Sequence, residues 1–158
     1  MLFRSDDGRD GGRMTDKGRP DWRALVAQAQ PRRKSVVLCL RGDLLAERDA
    51  ARDARDNTRA DELQTAIEEA TFTFQLRGLQ LGEYRALEAV HPDPDGVMKF
   101  APSFIDALTH ACLHDPQMTR AEYDDLCSVL TPGQWEELRD AAWEACNEVD
   151  ALPLPKRG

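Results

Sequence analysis

The sequence predicts a mainly α-helical protein that contains a small two-stranded β element and ends in a unit of three helices. Long segments rich in Ala, Leu, Glu and Arg lack proline and glycine, which favours helices. Two short runs of β-branched or aromatic residues, at 35–40 and 72–77, have the composition of strands. Helix-capping patterns recur before apolar stripes in the last third of the chain, and they predict the three C-terminal helices.

The chain of 158 residues is long enough for one domain or two very small ones. Residues 1–20 are rich in Gly, Arg and Asp, and we expect them to form a disordered leader. Residues 21–96 are predicted to form a unit in the order strand, helical hairpin, strand and helix. Residues 97–150 are predicted to form the C-terminal helical unit, and residues 151–158 a tail.

Charge is unevenly spread along a chain whose formal net charge is −8. Residues 1–34 carry nine basic and five acidic side chains, a net charge of +4, whereas residues 101–150 carry two basic and eleven acidic ones, a net charge of −9. An acidic surface repels phosphate, so we expect no nucleic-acid binding. No apolar run approaches the roughly 20 residues of a membrane-spanning helix, so we expect no membrane association.

The N-terminal unit is predicted to begin with a helix over 22–30, which Pro31 ends. The strand over 35–40 follows, and the basic residues 32–34 before it are interpreted as its solvated flank. Asp43 is expected to cap the next helix.

Two antiparallel helices are predicted at 44–56 and 59–70, with Thr58 and Asp61 as a capping box between them. Because a helical hairpin returns the chain to its starting point, the strand over 72–77 is expected to pair with the first strand. A helix over 81–90 and a proline-rich linker complete this unit.

A weak internal repeat marks the end of both strands. LRGDLLAERDA at 40–50 and LRGLQLGEYRA at 76–86 align at an offset of 36 residues. We interpret the repeat as a corner used twice, in which strand, Leu-Arg-Gly and helix follow one another.

Each C-terminal helix is preceded by a capping-box pattern. The pairs are Ser103 with Asp106, Thr119 with Glu122, and Thr131 with Gln134. The first of these helices is expected to end at Asp115–Pro116. All three are short, so they need one another for stability.

Few residues suggest chemistry. His110 and His114 are spaced to share a helix face and could bind zinc, but no third ligand lies at a useful spacing, so we expect no metal and no cofactor. Adjacent carboxylates such as Asp124 and Asp125 are typical of solvated helix faces. No phosphate-binding loop, dinucleotide fingerprint or nucleophile elbow is present, so we expect no enzyme.

Four cysteines, at positions 39, 112, 127 and 146, share no metal-binding or redox spacing and are expected to be reduced, semi-buried thiols. Trp135 falls on the inward stripe of the last helix and is expected in the core. Trp143 lies about 80° away around that helix and is a candidate for the rim of an interface.

The order of motifs resembles the tail assembly chaperones of long-tailed bacteriophages and prophages of actinobacteria. The resemblance covers about residues 20–150. It rests on the segments Phe74–Leu79, Glu83–Leu87, Phe104–Leu108, Asp115–Pro116, Leu130–Trp135 and Ala141–Trp143, and on Asn147.

This resemblance implies a scaffold role without catalysis. Such chaperones bind the long, mostly helical tape measure protein before the tail tube polymerises around it, keep it soluble and help to recruit tube subunits. The implied partners are therefore the tape measure protein and the tail tube protein, in the host cell cytoplasm and not in the mature virion. Homo-oligomerisation stays open, and so does the alternative of a small structural phage protein, either a head–tail connector or a tail terminator.

A chaperone for an amphipathic helix needs apolar grooves, in which partner side chains lie at helical spacing. The C-terminal helices are the expected location of such a groove. The residues expected to bind the partner are Phe104, Tyr123, Leu126, Leu130 and Trp143.

Overall fold

A computed structural model describes residues 18–93 and 100–149 of the chain. The leader expected at 1–20 lies outside these residues up to position 17, as do the end of the linker, at 94–96, and the tail at 151–158. The chain divides into two compact units at Gln30 and Pro31. In the first unit, the described residues contain one helix, α1 (Trp22–Gln28), none of whose side chains is buried.

The second unit contains the remaining described elements, and they confirm a mainly helical fold with a small antiparallel sheet. The strands are β1 (Arg33–Cys39), β2 (Thr71–Arg77) and β3 (Leu113–Asp115). The helices are α2 (Gly42–Asp53), α3 (Asn57–Glu69), α4 (Leu81–Val90), α5 (Pro102–Cys112), α6 (Arg120–Val129) and α7 (Pro132–Asn147).

The pairing predicted between the two longer strands is confirmed. They run antiparallel, with Val36 opposite Phe74 and Leu38 opposite Phe72. Since side chains alternate between the faces of a sheet, these four residues share one face, and all but Phe72 are buried. The hairpin between the strands connects them as the sequence indicated.

A third strand, β3, pairs with β2 on its other edge, and the expectation that helix continues to Asp115 was wrong. The helix α5 ends at Cys112, and Leu113 adopts an extended backbone with φ −63° and ψ 115°. Leu113 lies opposite Leu76 and is buried with it. A strand of three residues is too short to give the alternation from which strands are recognised.

One hydrophobic core joins the inner face of the sheet to the three C-terminal helices. Segments 21–96 and 97–150 therefore contribute side chains to the same core. Its members include Val36, Leu38, Phe74, Leu76, Phe104, Leu108, Cys112, Leu113, Tyr123, Leu138 and Ala142. The side chains of Tyr84 and Leu87 on α4 pack against its edge.

The helical hairpin α2–α3 has a separate apolar cluster. Its buried residues are Leu44, Ala51, Ala60, Leu63 and Ile67. The expected cap at Thr58 was wrong, because the helix begins at Asn57 and the carboxylate of Asp56 accepts a hydrogen bond from the Arg59 N–H, at 3.1 Å.

Two of the other expected caps differ as well. Gly42 already belongs to α2, so the Asp43 carboxylate lies in the first turn and accepts bonds of 2.9 and 2.8 Å from the Arg41 guanidinium. Ser103 lies within α5, whose first residue is Pro102, and its hydroxyl contacts the imidazole of His91 at 3.2 Å. In both cases a helix starts before the polar residue that was expected to precede it.

The capping boxes predicted for the last two helices are confirmed. The Thr119 hydroxyl accepts from the Glu122 N–H at 3.2 Å, and the Glu122 carboxylate accepts from the Thr119 N–H at 3.3 Å. Thr131 and Gln134 form the same reciprocal pair. Within 18–93 and 100–149, no helix has both the length and the apolar composition needed to cross a bilayer.

Candidate functional site

An apolar groove lies between helices α5 and α7, and we call it the α5–α7 groove. Its volume is about 420 Å³. The lining residues are Phe100, Pro102, Ile105, Leu108, Trp135, Arg139, Asp140 and Trp143. Six of these eight side chains are apolar, so the groove is suited to receive an apolar ligand surface.

The groove follows from the two faces of α7. Trp135, Arg139 and Trp143 are spaced four residues apart and therefore lie along one side of the helix. Leu138 and Ala142 point into the hydrophobic core, where each is 0% exposed. The core face holds α7 against the sheet and α5. The wall of the groove that α7 forms is therefore firmly supported.

A chain of hydrogen bonds beneath the groove fixes Trp135. Its indole N–H donates to the Tyr123 hydroxyl at 3.2 Å, and that hydroxyl donates to Oδ1 of Asp106 at 3.1 Å. Arg120 donates to the other oxygen of Asp106 at 2.6 Å. Burial raises the pKa of Tyr123, so the phenol remains a proton donor at neutral pH.

These hydrogen bonds leave the ring of Trp135 free to form an apolar contact surface. The N–H of Trp135 is satisfied inside the protein, so its ring can meet an apolar partner without leaving a buried donor unpaired. The guanidinium of Arg139 lies 5.4 Å from the centre of the same ring. Arg139 also bonds to Asp140 at 3.1 and 3.2 Å, so the rim of the groove carries a balanced ion pair.

Aromatic packing extends from the core into the groove. Phe100 contacts Trp143 edge to face, with ring centres 5.0 Å apart, and stacks on Phe104 at 5.4 Å. Tyr84 contacts Phe104 from the other side at 5.3 Å. Since Phe104 is fully buried, it supports Phe100 from within the core. Phe100, supported by Phe104, therefore holds the ring of Trp143 in place.

The structure separates the five residues expected to bind a partner. Phe104 and Tyr123 are 0% exposed, so they belong to the core and present no surface in this conformation. Leu126 on α6 and Leu130, the residue that follows α6, are half-buried and pack against the core outside the lining of the groove. Trp143 alone of the five lines the groove.

Residues that the sequence did not suggest form most of the groove. Trp135, expected in the core, is half-buried and forms one wall with Arg139. Ile105 and Pro102 form part of the opposite wall on α5. The available signal was the spacing of four residues from Trp135 to Arg139 and again from Arg139 to Trp143, because positions four apart are neighbours on one side of a helix.

The two histidines do not share a helix face as expected. His110 lies in α5, and its Nε2 is 2.9 Å from the Met118 carbonyl oxygen, whereas His114 is exposed on β3. The helix ends before His114, so the predicted helical spacing is lost. Among the described residues, no group of three or more His, Cys, Asp and Glu side chains is placed to hold a metal ion.

The basic residues at 32–34, which were interpreted as a flank before the strand, extend into the start of β1 and have specific partners. Lys34 forms ion pairs with Glu144 at 3.4 Å and Glu148 at 2.8 Å, and Arg32 pairs with Glu148 at 3.7 Å. Hydrogen bonding to Glu148 raises the pKa of Lys34. These contacts tie the start of the sheet to the end of α7, so this basic run has a structural role.

Comparison with known proteins adds no relative: no family model, curated protein or solved structure matches the chain.

Proposed function

We propose that this protein is a tail assembly chaperone of a long-tailed bacteriophage or prophage, which binds a helical segment of the tape measure protein. The observation that carries the proposal is the α5–α7 groove, whose half-buried tryptophans, Trp135 and Trp143, lie on one side of a single helix. The motif resemblance described above supports the choice of partner. In this proposal the protein acts by binding and performs no catalysis.

In this proposal the α5–α7 groove receives one side of an α-helix. A partner helix would place apolar side chains at positions i, i+3, i+4 and i+7 along it. Tryptophans in partly enclosed apolar surroundings are the side chains that dominate binding energies, and truncating one typically costs about 2 kcal/mol or more. Trp135 and Trp143 are therefore the expected anchors.

Charge has a second role in this proposal. The net charge of −9 over residues 101–150 would keep a complex with a poorly soluble partner in solution. It would contribute little affinity, since an exposed ion pair is worth about 0–1 kcal/mol and is screened within about 8 Å in physiological salt. Recruitment of tail tube subunits and release before virion completion would follow binding, in the host cell cytoplasm.

Co-expression with the tape measure protein tests the proposal. We expect the wild-type chain to keep the partner in the soluble fraction, and Trp143→Ala and Trp135→Ala to lower that fraction several-fold. Trp22→Ala is the matched control, because Trp22 is 62% exposed on α1 and is not among the lining residues. Circular dichroism and thermal unfolding of each variant verify that the fold is retained.

The salt dependence separates the groove from simple charge attraction. High salt should leave the complex intact if apolar anchors dominate. A complex that dissociates in high salt yet tolerates both tryptophan substitutions would contradict binding through the α5–α7 groove. A tape measure protein that is equally soluble without this chain would contradict the chaperone function, and it would favour a small structural phage protein, such as a head–tail connector or a tail terminator.

A further inference from the structure

Two cysteine thiols meet where α5 and α7 end. Cys112 is the last residue of α5, and Cys146 is the last residue but one of α7. Their sulfur atoms are 3.6 Å apart. A disulfide bond is about 2.05 Å long, so a modest movement of the two side chains would bring the sulfurs to bonding distance.

The connection after β2 approaches the same point and polarises one of the two thiols. The Leu79 N–H donates to the sulfur of Cys146 at 3.3 Å. Glycine at position 78 makes this approach possible, because a Cβ there would collide with the carbonyl oxygen of Ala145. A hydrogen bond from a backbone N–H stabilises a thiolate, so the fold favours the charged form of Cys146.

The two thiols differ in their proton affinity. Hydrogen bonding from Cys112 lowers the pKa of Cys146 to about 7. The same bond, together with burial, raises the pKa of Cys112. Cys146 therefore has more thiolate character at neutral pH than Cys112, which keeps its proton. Arg77 is the charged side chain that favours the thiolate of Cys112, and its effect is smaller than that of burial.

Cys146 is also the more accessible of the pair. It is half-buried and lines a cavity of about 160 Å³ together with Leu79, Leu81, Tyr84 and Asn147. This volume is several times the roughly 30 Å³ that a water molecule occupies in the liquid, so the cavity has room for a small hydroperoxide beside the sulfur. Cys112 is 1% exposed and lies behind it.

We propose that Cys112 and Cys146 form a dithiol that hydroperoxides oxidise to an intramolecular disulfide, with Cys146 as the thiol that reacts first. This inference rests on the geometry of the two helix ends and is independent of the proposed partner of the groove. The disulfide would tie α5 to α7, the two helices that form the walls of the groove.

The oxidation takes place in two balanced steps. The Cys146 thiolate attacks one oxygen of the hydroperoxide, the O–O bond breaks, and the displaced oxygen takes up a proton to leave as water or an alcohol. The sulfur of Cys112 then attacks the Cys146 sulfenic acid, an S–S bond forms, and the S–O bond breaks. The hydroxide leaves as water with the proton of Cys112, so two thiols have supplied two electrons to the peroxide.

Peptide mapping of the oxidised full chain tests this proposal. Arg120 and Arg139 lie between the last three cysteines, so trypsin places Cys112, Cys127 and Cys146 in separate peptides. After treatment with hydrogen peroxide we expect one cross-linked pair of peptides, Cys112 with Cys146, which has lost two hydrogen atoms and separates on reduction. We also expect iodoacetamide to label Cys146 about tenfold faster than Cys127 at neutral pH.

Cys127 is the matched control thiol. It is half-buried on α6, and burial raises its pKa. Cys127→Ser should leave the cross-link unchanged, whereas Cys112→Ser should abolish it and leave Cys146 as a sulfenic acid that a cyclic diketone traps. Two results would overturn the proposal: a peroxide-treated wild-type chain without the Cys112–Cys146 peptide pair, or labelling of Cys127 as fast as that of Cys146.

Discussion

The α2–α3 hairpin and the core around the sheet bury their apolar side chains in different ways. The hairpin cluster consists of small and aliphatic residues between positions 44 and 67. Its two helices follow each other directly in the sequence and pack against each other. The core joins β1, near residue 36, to α7, near residue 142, and contains the buried rings of Phe74, Phe104 and Tyr123. A local helical repeat therefore specifies the hairpin, whereas elements far apart in sequence specify the core.

The difference extends to the surfaces of the two regions. The hairpin has exposed ion pairs, such as Arg59 with Glu47 at 3.4 Å and with Glu62 at 3.5 Å. The core region has the α5–α7 groove with its partly exposed tryptophans. Solvated ion pairs contribute little energy, whereas apolar surface left open beside a core is typical of binding sites. The groove of the core region, and not the hairpin, is therefore where we propose that a partner binds.

The largest expected effect comes from truncating a core residue and its counterpart in the hairpin. Leu76 is 0% exposed in the sheet, and Leu63 is 3% exposed in the hairpin. Leu76→Ala should lower the free energy of unfolding by about 4 kcal/mol, because packed sheet and helices cannot collapse into the cavity. Leu63→Ala should cost about 2.5 kcal/mol, because a hairpin held by one cluster can close around the gap. Urea unfolding measures both values.

Hydrogen exchange sharpens the same test. In Leu63→Ala the amides of α2 and α3 should lose protection while those of β1 and β2 keep theirs, since regions with few shared contacts open separately. Equal loss of protection in both regions would show that the hairpin and the core unfold as one unit, which contradicts a separately stabilised hairpin.

The second prediction uses the repeated Leu-Arg-Gly corner, whose two glycines have different surroundings. A Cβ at Gly78 would collide with the carbonyl oxygen of Ala145, whereas one at Gly42 would meet no atom within 4 Å. Gly78→Ala should therefore destabilise the core by about 3 kcal/mol, because the backbone of α7 would have to move. Gly42→Ala should stabilise α2 by about 0.5 kcal/mol through lower entropy of the unfolded chain. Thermal unfolding of the two variants should give shifts of opposite sign.

These two glycines also show how far the sequence leads. The sequence predicted the two longer strands, the hairpin and the capping boxes at Thr119 and Thr131, because a few neighbouring residues determine each of those features, but it did not predict β3. It could not predict that Gly78 lies against α7 while Gly42 faces open space, since that contact joins residues 67 positions apart. The two copies of the repeat are therefore similar in sequence but differ in their structural surroundings.

The candidate site was harder to predict for the same reason. Tyr123 and Trp135 both lie on apolar stripes, and the sequence does not show which stripe faces the interior. The structure places the Tyr123 ring in the core and Trp135 at the groove, joined by a hydrogen bond of 3.2 Å. Burial of a polar side chain depends on a partner such as Asp106, which lies 17 positions away in the chain. Of the five residues expected to bind a partner, Trp143 is the one that lines the groove.

The smallest expected effect is a pH dependence that belongs to the core alone. The chain has two tyrosines, at 84 and 123, and neither lies in the hairpin. Burial raises the pKa of Tyr123, so the folded state keeps this proton at pH values where the unfolded chain, with a pKa of about 10, releases it. A raised pKa gives stability that is fully present below pH 10 and is lost as the pH rises above it, by about 1.4 kcal/mol per pH unit while the folded phenol stays protonated.

Tyr123→Phe should remove this part of the alkaline loss. At neutral pH the variant should be about 1 kcal/mol less stable, because Trp135 and Asp106 lose a hydrogen-bond partner. Between pH 10 and 11 the difference from wild type should shrink, since the variant has no phenol to ionise on unfolding. Tyr84→Phe is the matched control: burial also raises the pKa of Tyr84, but that ring is only half-buried at the edge of the core, so its effect should be smaller. Urea unfolding at pH 7, 10 and 11 measures these differences, and a wild type and Tyr123→Phe that lose stability in parallel above pH 10 would show that the Tyr123 hydroxyl is not held protonated by the fold.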